Sequence, residues 1–106
     1  MNSNLWDVAA DPAAEQVTEL ISAAGTRIER IVSTGQASPA GFWYQQAWSE
    51  WVLVLQGEAE LLIEGEEKPR TLMRGDHIVL PAGLRHRVER TSACPPTIWL
   101  AVHYEG

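Results

Sequence analysis

Cysteine is almost absent: Cys94 stands alone, so no intramolecular disulfide can staple the chain, and a reducing compartment suits it. Basic residues are also scarce. Lys plus Arg number 8 against 14 for Asp plus Glu, a formal net charge of −6. A protein that grips a phosphate backbone needs the opposite balance to release counterions. No apolar run comes near the ~20 residues that span a bilayer, and Met1 to Trp6 lack the basic-then-apolar order of a secretion signal. Nucleophile-elbow, phosphate-loop and zinc-finger spacings are missing, as are internal repeats. The expectation is a cytoplasmic protein with no nucleic-acid partner and no membrane association. What remains is 106 residues at 45% hydrophobic content, one domain's worth. At that size folding removes roughly 60–70% of the unfolded surface, and one core can form without staples.

The charge that is present is segregated. Up to residue 67 the only basic residues are Arg27 and Arg30, whereas Arg70, Arg74, Arg85, Arg87 and Arg90 cluster in residues 69–90. These arginines either pair with the acidic first half across a sheet or form a basic rim for an anionic small molecule. The alternation of Arg85 and Arg87 favours the wet face of a strand, hence the first option.

Along the chain, Asp11-Pro12 is a helix-start signal, and Val17, Leu20 and Ile21 follow at helical spacing. A short helix over residues 12–23, packed on something larger, is predicted for an N-terminal segment of residues 1–25. From residue 26 to 106 the texture is that of short strands between turns. Residues 27–33 read as an edge strand. Residues 50–56 are nearly continuously apolar, as in a strand covered on both faces. Residues 58–64 alternate, with Ala59, Leu61 and Ile63 on one face. Further strands are predicted at 69–73, 77–80, 84–90 and 97–104. This spacing implies an all-β antiparallel sandwich or barrel.

Two segments carry more specific spacing. The first is GFWYQQAWSEWVLVLQG, from Gly41 to Gly57 with Glu50 inside it. The second is GDHIVLPAGLRHRVER, from Gly75 to Arg90 with Pro81, Gly83 and His86 at fixed intervals. Together they resemble the two signature motifs of the cupin superfamily, small jelly-roll barrels, and in particular small single-domain bacterial cupins. The second motif is matched almost completely, with Arg90 where the family has asparagine. In the first motif, metal-binding cupins carry two histidines four and six places before the glutamate; this chain has Gln46 and Tyr44 there. The resemblance implies a double-stranded β-helix with a lumen, and it raises a homodimer as the assembly.

Strand parity supports a shared site independently. Side chains two apart share a face, which groups Tyr44, Gln46, Glu50, Val52 and Val54, and separately Leu84, His86 and Val88. A carboxylate and an imidazole inside a barrel need each other or a cation, because an unpaired buried charge is costly. Imidazole plus carboxylate with open positions suits a divalent ion such as Fe, Mn, Ni or Zn. The candidate metal ligands are Glu50, His86, Gln46 and His103, the last in phase with Trp99 and Ala101. Tyr44 could join them only as a phenolate. His77, of opposite parity to Ile78 and Leu80, is expected to point outward.

Three readings follow for a small-molecule ligand. In the first, a metal-dependent enzyme performs oxygenase, isomerase or lyase chemistry on a small polar metabolite, with Glu50 and His86 as the catalytic pair and Tyr44, Gln46 and His103 binding ligand. In the second, the same residues form a metal-free binding or sensor pocket without catalysis. In the third, a purely structural module uses its tryptophan face and has no enclosed pocket. Phe42, Trp43, Tyr44, Trp48 and Trp51 suit a pocket wall or an interface. Trp51, Leu53 and Leu55 face away from Glu50, so a helix, a strand or a second subunit must cover them. Cys94, in a Pro-flanked loop with no adjacent base, reads as an inert thiol.

Overall fold

A computed structural model describes residues 2–106 as eight strands. These are β1 (Gln16–Ala23), β2 (Thr26–Ser33), β3 (Ser49–Gln56), β4 (Ala59–Ile63), β5 (Arg70–Leu72), β6 (His77–Leu80), β7 (His86–Thr91) and β8 (Thr97–Tyr104). They form two antiparallel sheets, a larger one in the order β1-β2-β8-β3-β6 and a smaller one in the order β5-β4-β7. The architecture is the expected all-β jelly roll.

Alternation on the central strands creates the core. Val52 and Val54 of β3 and Trp99 and Ala101 of β8 meet Ala59, Leu61 and Ile63 of β4, with Leu72 and Leu80 closing the ends. Trp51, Leu53 and Leu55 take the opposite face and are only half-buried. Gly57 makes the β3–β4 turn at φ 75°, and a Cβ there would stand 3.0 Å from both the Pro96 carbonyl oxygen and Thr97 Cα. Both the left-handed conformation and the close approach of β8 demand glycine.

The predicted N-terminal helix is absent. Residues 16–23 form β1, which pairs with β2 from Gln16↔Val32 to Ala23↔Thr26, reversing at Gly25 with φ 76°. The helical spacing of Val17, Leu20 and Ile21 has a different origin. The register shifts between Glu19 and Ile21, so a bulge at Leu20 breaks the period of two and puts Val17 and Ile21 on opposite faces. The start signal does form locally: the Ala13 N–H donates to Asp11 Oδ1 at 2.9 Å. The Asp11 carbonyl, however, also accepts from Thr34 Oγ1 at 2.8 Å, and β-branched Val17 and Thr18 then favour a strand over propagation.

One consequence is that β2 lies between β1 and β8 and is not the edge strand expected. Residues before β1 run across the outer face, where Arg30 Nη1 donates to the carbonyls of Leu5 and Asp7 at 3.4 and 3.3 Å. No helix among the described residues is long and apolar enough to cross a membrane.

Candidate functional site

Register across the larger sheet assembles the site. Arg27 of β2 pairs with His103 of β8, His103 pairs with Glu50 of β3, and Glu50 pairs with Leu80 of β6. These four side chains therefore form one row on the inner face. In the next row Glu29 lies opposite Ala101. Ala101 is fully buried and small, which leaves room for a diagonal contact in which His103 Nε2–H donates to Glu29 Oε1 at 3.0 Å. Arg27 Nε lies 3.3 Å from the other oxygen of Glu29.

The smaller sheet supplies His86 from across the lumen. Tyr44 and His86 exchange backbone hydrogen bonds, Tyr44 N–H to the His86 carbonyl at 2.7 Å and His86 N–H to the Tyr44 carbonyl at 3.1 Å. Their rings stack with centroids 5.4 Å apart. The Gly83 N–H donates to the Gln46 carbonyl at 2.8 Å, so the two sequence motifs are tied together by main chain at both residues. His86 Nδ1 lies 3.1 Å from the Leu84 carbonyl. Donation there places a proton on Nδ1 and turns Nε2 toward Glu50.

Glu50 thus sits between two imidazoles. Oε1 is 3.8 Å from His86 Nε2, and Oε2 is 3.5 Å from His103 Nε2. Neither distance is a hydrogen bond. Glu50, His86 and His103 are 7%, 5% and 5% exposed, and all three line a cavity of about 290 Å³ between the sheets together with Tyr44, Gln46 and Trp99. Burial raises the Glu50 carboxyl above the ordinary carboxylate range, opposed by the neighbouring imidazoles of His103 and His86. The Tyr44 phenol is also raised, by burial and then by the carboxylates of Glu15 and Glu50. That direction is opposite to the one a phenolate ligand needs.

Every sequence-derived site residue (Tyr44, Gln46, Glu50, His86 and His103) reaches this one lumen. The cavity also counts against the purely structural reading, which required none. His77 is exposed as expected, its Nδ1 accepting from Trp51 Nε1 at 3.3 Å. Trp43 lies outside, with the Arg85 and Arg87 guanidiniums 5.2 and 6.0 Å from its ring centre. Cys94 is exposed.

Three charged residues were not anticipated: Arg27, Glu29 and Glu15. The period of two in residues 27–31 places Arg27, Glu29 and Ile31 on one face, a signal that the edge-strand reading of β2 concealed. Glu15 enters because β1 joins the sheet, and it accepts from Ser33 Oγ at 2.9 Å. The arginines of the second half stay outside. Arg70 pairs with Glu66, Arg85 with Glu64, and Arg90 with both Glu58 and Glu60.

The donor types Glu50, His86 and His103 are those of a two-histidine, one-carboxylate metal site. Their arrangement is not. Among the described residues no three of His, Cys, Asp or Glu are placed to share an ion, and His103 Nε2 is engaged by Glu29. At the positions of the histidine pair stand a neutral amide, Gln46, and a phenol held protonated. A resident metal does not fit the side chains as they lie.

The profile of the cupin domain matches residues 30–103. The chain belongs to the cupin family. Among solved structures, this cupin is 44% identical to a Ralstonia eutropha protein provisionally named a mannose-6-phosphate isomerase, covering 100% of this chain and 99% of that one at a TM-score of 0.95. A cupin superfamily protein from Desulfitobacterium hafniense is 16% identical over 93% of this chain and 84% of its own, with a TM-score of 0.77. The Cnp3 cupin domain of Schizosaccharomyces pombe is 11% identical over 99% of this chain and 69% of its own, with a TM-score of 0.79. At those lower identities the likeness establishes the fold alone. No curated protein matches the chain.

Proposed function

We propose that this cupin binds a small polar metabolite in its lumen and moves a proton on it, with Glu50 as the proton carrier. The observation that carries this reading is Glu50 itself. It is a buried carboxyl, raised by desolvation, flanked by two imidazoles at distances too long for hydrogen bonds, and open to a cavity. A carboxyl shifted toward neutrality serves as general base and acid near physiological pH. His86, fixed by the Leu84 carbonyl, presents Nε2 to the ligand, and Glu29 holds the His103 ring in place beside it. Tyr44 and Gln46 add a hydroxyl and an amide on the wall. Proton transfer of this kind is isomerase-type chemistry, the class named for the Ralstonia relative.

The test is a panel of small sugars, polyols, amines and hydroxy acids, scored by calorimetry and then by deuterium uptake into the bound compound in heavy water. Binding that perturbs the ring nitrogens of His86 and His103 but not His77, with exchange abolished in Glu50→Gln, is the expected result. Binding without exchange leaves a sensor pocket in place of an enzyme. Ligands that bind equally well to wild type and to both Glu50→Gln and His86→Ala would overturn the lumen as the site.

A second reading, the metal-dependent one, rests on the donor types of Glu50, His86 and His103. It requires His103 to leave Glu29. Metal analysis separates the two: no stoichiometric Fe, Mn, Ni or Zn, and equal negligible uptake by wild type and His86→Ala, is expected here. One bound ion per chain, lost in His86→Ala, would establish the second reading.

A further inference from the structure

We propose that the lumen is built for a small organic cation, an alkylammonium or guanidinium compound whose charged head lies at Glu50 and whose other end reaches Glu15. The inference deepens the proposed function and rests on the lumen being the binding site.

Carboxylates outnumber guanidiniums in the cavity wall. Glu15, Glu29 and Glu50 line it against Arg27 alone, with the imidazoles of His86 and His103 beside them. Arg27 is already engaged by Glu29 at 3.3 Å. Although five arginines lie between residues 70 and 90, none contributes to the lining, and Arg70, Arg85 and Arg90 are held outside by glutamates. The wall therefore carries an excess of carboxylate in a chain that had arginines available.

Glu50 gives the independent sign of a ligand. It is more than nine-tenths buried, faces the cavity, and among the described residues no group donates a hydrogen bond to it; its nearest nitrogens are 3.5 and 3.8 Å away. A buried carboxylate without a donor is costly, and its neighbours as placed make no hydrogen bond to it: His86 Nε2 is 3.8 Å away and His103 donates to Glu29. An ammonium or guanidinium supplies both the charge and the N–H groups that are missing. The rest of the wall suits such a molecule. Val52, Leu61, Leu80 and Trp99 give apolar contact to an alkyl chain, and the faces of Trp99 and Tyr44 attract cations. At the mouth Glu15, half-satisfied by the Ser33 hydroxyl, lines both this cavity and an adjoining one of about 180 Å³ beside Gln36 and Ser38. It stands where a second polar group of the ligand would emerge.

An anionic sugar phosphate meets the opposite situation. The compound in the Ralstonia protein's provisional name carries a phosphate; here it would meet three carboxylates, with the one guanidinium, Arg27, already paired and the two imidazoles set beside Glu50.

The experiment is calorimetric titration of the full chain, in the presence of a chelator, with putrescine, n-butylamine, n-butanol and mannose-6-phosphate. The expected order is putrescine tightest, butylamine weaker, butanol and the phosphate without measurable binding. Glu50→Gln should lose at least tenfold in affinity for both amines. Glu15→Gln, at the exposed mouth where folding is not at stake, should lose affinity for putrescine alone. Butanol binding as well as butylamine, or the phosphate binding more tightly than either amine, overturns the cation. A neutral sugar of the panel above binding while both amines fail also overturns it, yet leaves the lumen as the site. If no compound of any class binds, both readings fall.

Discussion

Removing the His103 imidazole by His103→Ala tests the electrostatic arrangement of the lumen most sharply in stability terms. His103 Nε2 donates to Glu29 at 3.0 Å and stands 3.5 Å from Glu50. A hydrogen bond to a charged partner contributes about 1.5–3 kcal/mol, and leaving a buried carboxylate without a partner costs on a similar scale. Arg27 keeps one oxygen of Glu29 company at a half-exposed position, which limits the penalty there, whereas Glu50 loses its nearer imidazole. The two effects place the loss at about 2–4 kcal/mol. For a domain of this size each kcal/mol shifts Tm by roughly 4–8 °C, so even the lower figure is easily read. Urea unfolding followed by tryptophan fluorescence at pH 7 should show a lower midpoint with an unchanged slope, the mark of altered stability with the same surface exposed. Adding Glu50→Gln to His103→Ala should recover part of the loss, because a neutral amide no longer needs the imidazole. A His103→Ala protein within about 0.5 kcal/mol of wild type, the range of ordinary surface substitutions, would refute this account of the pair.

Other outcomes follow from the same arrangement of side chains. Because burial raises the Glu50 carboxyl in the folded state, the native protein binds that proton more tightly than the unfolded chain does. Its contribution to stability is then complete below the unfolded value and is lost as pH rises through the raised one; Glu50→Gln should flatten this fall and be the more stable protein at pH 8. Gly57→Ala should destabilise by roughly 2 kcal/mol or more, since it combines a left-handed backbone, about 1–2 kcal/mol, with the close approach of β8; an effect below 0.5 kcal/mol in thermal unfolding would show that the turn relaxes freely. The outer face of the larger sheet, with Trp51, Leu53, Leu100 and Val102 half-buried and Val79 and Ile21 exposed, is expected to be covered by a second copy. Sedimentation should give a dimer, and Leu53→Glu a monomer; a wild-type monomer would remove that expectation.

The sequence was most informative where one strand period set both core and site. Glu50, Val52 and Val54 fell in phase, and the phase of His103 with Trp99 and Ala101 was legible because the one register shift between β3 and β8 takes its extra residue on β3, beyond Val54, and leaves β8 regular. The fixed intervals from Gly75 to His86 located the second imidazole for the same reason. Reading failed where the period itself was broken. The bulge at Leu20 gave β1 the spacing of a helix, and losing β1 made β2 look like an edge, hiding the inward placement of Arg27 and Glu29. Glu15 lay within the segment read as a helix, and its position at the lumen depends on a tertiary contact with Ser33 that no local pattern announces. The choice between anion and cation in the lumen was illegible for a related reason: the five arginines clustered in sequence all stay out of the lumen lining, Arg85 and Arg90 through pairing with glutamates across strands.

The central claim is that Glu50, His86 and His103 face one another inside a single cavity. The most direct measurement is the nitrogen-15 spectrum of the histidine rings in wild type and in Glu50→Gln. Three histidines are present, and His77, exposed beside Trp51, is the internal control. The Nε2 signals of His86 and His103 should both move on loss of the carboxylate while those of His77 stay in place. If only one of the two moves, or neither does, the convergence on Glu50 is contradicted.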